Sequence, residues 1–162
     1  MTYDHDLIIL FVDPHQSHLN WDSIQRTLYH EVIHAINRIV NPWENNKTLL
    51  DMVISEGIAT VVESQFSKNS NGMTHKWSKM SHAQIQKILK IMNPDFDLDN
   101  FYIQDYFGSA KTIRSDLPEW AGYFLGYYLI QSFIKMSHCD LTTLLRIPYA
   151  EIKKSLTRGG IL

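Results

Sequence analysis

The chain has almost no cysteine. Cys139 is its single thiol, which rules out an internal disulfide and suits a reducing compartment; the residue reads as a small half-buried side chain rather than a nucleophile. Nor is there a surplus of either charge. The formal net charge is −2 with acids and bases mixed along the sequence, so the electrostatic footprint of a nucleic-acid-binding protein is missing. Long apolar runs are absent too: the stretch from Trp120 to Ile134, about 15 residues between Glu119 and Lys135, falls short of the roughly 20 needed to span a bilayer. The opening Met-Thr-Tyr-Asp-His-Asp has neither the basic nor the apolar region of a signal peptide. No internal repeat or low-complexity segment occurs. With 162 residues, 44% of them hydrophobic, the expectation is one cytoplasmic, mainly α (α+β) domain over 1–162, with no nucleic-acid or membrane partner and no room for a second catalytic unit.

What the chain does have is His30-Glu31-Val32-Ile33-His34, the pattern HExxH, inside a run from Asn20 to Val40 that reads as one amphipathic helix. Asn20 is a plausible cap, and Pro42 ends the helix near Val40. Two histidines four apart on a helix are offset by roughly 40°, so their imidazoles can converge on one ion. Glu31 lies beside the pair and can reach a water on that ion without ligating it, which is the division of labour of a zinc hydrolase. In a chain with 8 histidines, a chance HExxH is on the order of a few per cent, and the plain alternative is a surface helix with two solvated histidines. The apolar company of Val32, Ile33 and Ala35 weighs against that alternative, because buried histidines and a glutamate need a partner such as a divalent cation.

Thr48-Leu-Leu-Asp51 resembles a capping box and opens a second helix through about Phe66, which explains Asp51 structurally and leaves open a role for it behind a metal ligand. From the turn, His34 lies about six residues back and Glu56 about eight residues on; at 1.5 Å each, both are roughly 9 to 12 Å away. Two antiparallel helices would therefore bring Glu56 level with the histidines. Two His, one Glu and an open position make a catalytic rather than a structural zinc set. Gly57 and Ala59 mark close approach of another element, here expected to be the HExxH helix. The alternative layout HExxHxxGxxH fails, since Asn37 and Val40 hold the required positions.

The remaining chain adds less. Asp6 to Asp13 is a continuous apolar run ending at Pro14 and reads as a short N-terminal strand, either packed on the helix or pairing with an extended substrate. His15 and His18 read as solvated, and Ser67 to His75 as a connecting loop. Ser81-His-Ala-Gln84 is a capping box leading a third helix to about Met92, with Ile85, Ile88, Leu89 and Met92 in the core. Asp95, Asp97, Asp99 and Asp105 lack the glycine and terminal glutamate of a calcium loop and read as a solvated acidic face. A helix opened by Pro118 and Glu119 runs to about Ser137 and carries Gly122 and Gly126 on a small face beside Tyr123 and Tyr127. Either tyrosine could supply a hydroxyl donor to a developing oxyanion, or both could be core packing. Two short helices, Asp140 to Ile147 and Tyr149 to about Leu156, close the chain.

With HEVIH, the run Leu49-Leu-Asp-Met-Val-Ile-Ser-Glu-Gly-Ile-Ala59 and the run Leu117-Pro-Glu-Trp-Ala-Gly-Tyr-Phe-Leu-Gly-Tyr127, the sequence from about Asn20 to Leu156 resembles the YjaZ-like family of predicted zinc-dependent proteases, related to the gluzincins. The resemblance implies a zincin-like fold, Zn2+ held by His30, His34 and Glu56, Glu31 as general base, a peptide or protein substrate, and the Gly-Tyr helix facing the site. Two departures stand out. Thr60 occupies the position, four after the ligand glutamate, where gluzincins often carry an acid. The chain also begins almost at its first strand, where family members are longer. That second departure motivates an alternative, a zincin-like domain that holds metal or an extended peptide without cleaving it. A helical interaction module with a coincidental HExxH is the third reading.

Overall fold

In the computed structural model, which describes residues 21–42, 47–66, 80–108 and 114–162, the chain is organised around a helix that is buried on nearly every side. We number the helices α1 (Trp21–Val40), α2 (Leu49–Phe66), α3 (His82–Met92), α4 (Ile103–Phe107), α5 (Ala121–Ser137), α6 (Leu141–Leu144) and α7 (Tyr149–Arg158). Among the described residues there is no strand. The strand expected over Asp6–Asp13, the Asn20 cap, His15, His18 and the Ser67–His75 loop lie outside them. No helix of the described residues is long and apolar enough to cross a membrane.

Helix α2 buries Leu49, Leu50 and every residue from Val53 to Val62, a mainly apolar run interrupted by Ser55, Glu56 and Thr60. Its first turn is closed twice. Thr48 and Asp51 form the reciprocal cap, with Asp51 N–H donating to Thr48 Oγ1 at 3.3 Å and the Thr48 hydroxyl to Asp51 at 2.8 Å. The N–H groups of Leu49 and Leu50 then donate to the carbonyls of Leu98 and Phe96, which satisfies donors that a helix start leaves orphaned. Asp51 also pairs with Lys153 at 2.8 Å, tying α2 to α7. Its role is therefore capping and bridging.

The two glycines that bring helices together do so along α2 and α5. A Cβ on Gly57 would overlap the backbone of Gly126, and one on Gly126 would overlap Val53 and Gly57. The neighbour of Gly57 is thus α5 and not the HExxH helix, because the backbones of α2 and α5 touch where neither carries a side chain. Gly122 instead faces the ring of Phe107. Helix α1 packs on another side of α2 with opposite chain sense, so His30 meets Glu63 while His34 meets Ser55.

Helix α3 has the complete Ser81–Gln84 capping box and buries Ile85, Ile88, Leu89 and Met92. It runs into a 3-10 turn at Asn93–Asp95, with Pro94 in its first positions. Asp95 is not solvated in the way its acidic surroundings suggest: it accepts from the Tyr106 hydroxyl at 2.8 Å and from Arg114 at 2.6 Å, while Asp97 and Asp99 are exposed. Helix α5 starts later than Pro118 and Glu119 imply. Trp120 takes a left-handed backbone, φ 63°, and donates its N–H to Gly108, so regular helix begins only at Ala121. The segment expected as a helix over Asp140–Ile147 is a single turn, α6, capped by Asp140.

Candidate metal centre

His30 and His34 leave α1 one turn apart and meet Glu56 from α2. His30 Nε2 is 3.1 Å from Glu56 Oε2 and 3.0 Å from His34 Nε2, and His34 Nε2 is 3.4 Å from Glu56 Oε1. These three side chains are positioned to hold a metal ion, their donor atoms all lying within 4.8 Å of one another. The spacing suits zinc. Tetrahedral ligands at about 2.0–2.2 Å from the ion sit roughly 3.3–3.5 Å apart, close to the separations above. The donor set of two imidazole nitrogens and one carboxylate is also the one that catalytic zinc sites use, leaving a fourth position open.

The electrostatics of the cluster follow from burial opposed by pairing. Burial alone would lower the His30 pKa, but hydrogen bonds and charge from Glu56 and then Glu63 outweigh it and raise the pKa to about 9. For Glu56 burial pushes upward, and the bonds and charges of His30 and His34 prevail, bringing it to about 2. Without an ion the cluster is thus a buried carboxylate that neutralises a protonated His30. A divalent cation would do the same job by taking the proton's place.

The outward-facing ring nitrogens are held as well. His30 Nδ1 lies 3.3 Å from Glu63 Oε2, and His34 Nδ1 lies 3.2 Å from Ser55 Oγ. With each Nδ1–H donated outward, the Nε2 lone pairs point at the common centre, and such partners fix both tautomer and ring angle. The acid beside His30 is thus Glu63; Thr60, three residues earlier in the same helix, is buried. Neither Glu63 nor Ser55 is singled out by the motif. Spacing does mark Glu63, which stands seven residues after Glu56 and so two turns along the same face. Ser55 is marked as one of the few polar residues in the buried run.

Tyr123 stands beside the cluster, its ring 6.3 Å from that of His30 and packed between Phe107 at 5.3 Å and Trp120 at 5.6 Å. Burial and then the carboxylates of Glu56, Glu31 and Glu63 push its phenol well above the ordinary tyrosine range, so it keeps its proton and has an O–H to donate. The same influence places the charge of Glu31 within electrostatic reach of this hydroxyl. Tyr127, one turn on, is half-buried against the core.

No curated protein and no solved structure matches the chain. Residues 4–154 match the model of the family described as "Predicted Zn-dependent protease (DUF2268)", a span that includes α1, α2, α5 and all three convergent side chains, and the chain belongs to that family.

Proposed function

We propose that the chain is a zinc-dependent metallopeptidase of the gluzincin type, one zincin-like domain acting on a peptide or protein substrate. The observation that carries this reading is the convergence of His30 Nε2, His34 Nε2 and the Glu56 carboxylate at 3.0–3.4 Å, with Glu31 on the same helix and close enough to influence Tyr123. Those three residues would hold the zinc, which when bound would supply Lewis acidity and lower the pKa of water toward neutrality. Glu31, which is not needed as a ligand, takes the proton of the attacking water and passes it to the departing amine. Tyr123, kept protonated by burial and the neighbouring carboxylates, donates its O–H to the oxygen of the scissile carbonyl as negative charge develops there. Tyr127 is the second candidate for that donation, and its distance along the helix makes it the weaker one.

Glu31→Gln tests the proposal. It is expected to lower peptide-library cleavage by about 10²- to 10⁴-fold, the usual contribution of a general base, while stoichiometric zinc stays bound. Undiminished cleavage by the variant would remove Glu31 from the chemistry. Wild-type protein that binds zinc yet cleaves no member of a diverse library would instead establish the non-cleaving, metal- or peptide-holding alternative.

A further inference from the structure

Helix α1 has little apolar surface with which to fix its place. It buries Ile33, His34 and Asn37 among the described residues, so its polar ties matter for where it lies against α2. Two of them run through the metal cluster, from His30 to Glu63 and from His34 to Ser55. Another lies beyond the cluster, at Asn41. The N–H of Asn41 continues the helix by donating to the Asn37 carbonyl at 2.8 Å, and its half-buried side chain reaches α7. Asn41 Oδ1 accepts from the Tyr149 N–H at 2.9 Å, while Nδ2 donates to the Ile147 carbonyl at 3.4 Å and to Asn37 Oδ1 at 2.9 Å. A backbone N–H can only donate, which fixes the way the amide faces. Pro148, at the start of α7, makes no side-chain cap. Asn41 therefore caps α7 from another helix, meeting an N–H that a helix start leaves orphaned.

We propose that Asn41 is a positioning residue for the metal centre: its amide clasps the backbone on both sides of Pro148, and α7, held in turn on α2, sets the separation between the helix that carries His30 and His34 and the helix that carries Glu56. This rests on the reading of those three residues as metal ligands. The hold of α7 on α2 is direct, since Lys153 pairs with Asp51 at 2.8 Å, and Ile152 and Leu156 of the same helix are fully buried. Both attachments fall close to the ligands. Asn37, which receives the Asn41 amide and is 1% exposed, stands three residues after His34, and Asp51 stands one turn before Ser55, the partner of His34 Nδ1. Donor atoms supplied by two helices are only as well spaced as the helices themselves. With α7 as a brace the ligands are held ready, and an arriving ion does not have to order them. The C-terminal helix is in this way part of the site, although Asn41 acts through α1 and touches neither ion nor substrate.

The test compares wild type, Asn41→Ala, Lys153→Ala and the double variant by zinc titration against a competing chelator, with cobalt(II) absorption spectra and melting of the metal-free proteins alongside. Asn41→Ala is expected to weaken zinc binding by about tenfold and to alter the visible bands of the cobalt form, which report ligand geometry. Lys153→Ala is expected to do the same to a smaller extent. The two attachments act in series, so the double variant is expected to bind no worse than Asn41→Ala alone. A merely structural asparagine would lower the melting temperature and leave affinity and spectrum unchanged. That result, or losses that add in the double variant, would overturn the brace. If Asn41→Ala does not fold, wild-type affinity in Lys153→Ala, which removes a partly exposed side chain, overturns it instead. Absence of stoichiometric zinc binding in the wild type would overturn the metal reading together with the brace, a result distinct from normal binding by the variants.

Discussion

Helix α2 presents two different seams, and the contrast explains what holds the molecule together and what is left for chemistry. Toward α5 it offers Gly57 and an apolar surround, and the two backbones meet directly. Toward α1 it offers Ser55, Glu56 and Glu63, which meet two histidines through hydrogen bonds and charge. The burial on the far side of each seam matches. Helix α5 buries Ala121, Gly122, Phe124, Leu125, Gly126, Leu129, Ile130 and Phe133, whereas among the described residues α1 buries only Ile33, His34 and Asn37. The dry seam depends on shape and is indifferent to pH and ions. The wet seam depends on both. A rigid helix pinned on one side can thus hold Glu56 and Glu63 in register for a site on the other.

The largest effect is expected where the dry seam is broken. Gly57→Ala and Gly126→Ala each put a methyl group into the opposing backbone, which no rotamer change can relieve. Although alanine favours helix by about 1 kcal/mol over glycine, each variant is expected to lose about 3 kcal/mol or more by denaturant melts. The loss should be the same at every pH and with or without a chelator. A variant that melts like wild type would show that the helices part easily and that the two seams are not different in kind.

The two seams were also unequally legible in the sequence. His30, His34 and Glu56 could be brought together on paper because helix ends announce themselves: Thr48 and Asp51 start one helix, Pro42 closes the other, and the rise per residue supplies the rest. The dry seam was legible only as a demand. Gly57 says that something approaches closely, but nothing local says that Gly126, far along the chain, is the neighbour rather than the HExxH helix. Trp120 shows the same limit. Pro118-Glu119 has the composition of a helix start, and the bond from Trp120 N–H to Gly108, a tertiary event, delays the helix. Asp95 likewise looks solvated until Arg114 and Tyr106 arrive from later in the chain. Glu63 was within reach of sequence reasoning by its spacing from Glu56.

The next effect concerns pH and belongs to the wet seam alone. In metal-free protein the His30 pKa is raised from 6.5 to about 9, so its contribution to stability is complete below pH 6.5 and is lost as pH rises through about 9. Glu56 is lowered from 4.5 to about 2, so its contribution is complete above pH 4.5 and is lost as pH falls through about 2. Both describe largely one shared interaction and are not summed. Urea melts in chelator are expected to show wild type exceeding His30→Gln by roughly 2 kcal/mol between pH 4.5 and 6.5, with the gap narrowing on either side. A gap independent of pH would mean that His30 and Glu56 interact as neutral groups, and the wet seam would then resemble the dry one.

The smallest effect sharpens the comparison most, because it separates the ion from the fold. Glu63 is only partly buried and touches the cluster through His30 Nδ1. Glu63→Ala should leave metal-free stability within about 1 kcal/mol of wild type, as expected for a single partly exposed pair. Zinc affinity should nevertheless fall by about 10- to 100-fold, since the His30 ring loses the acceptor that holds its angle and tautomer. Glu63→Gln keeps an acceptor oxygen without the charge and should recover much of that loss. Equal losses in the two variants would assign the role of Glu63 to its charge and not to its hydrogen bond. Unchanged affinity in both would show that α1 orients His30 unaided.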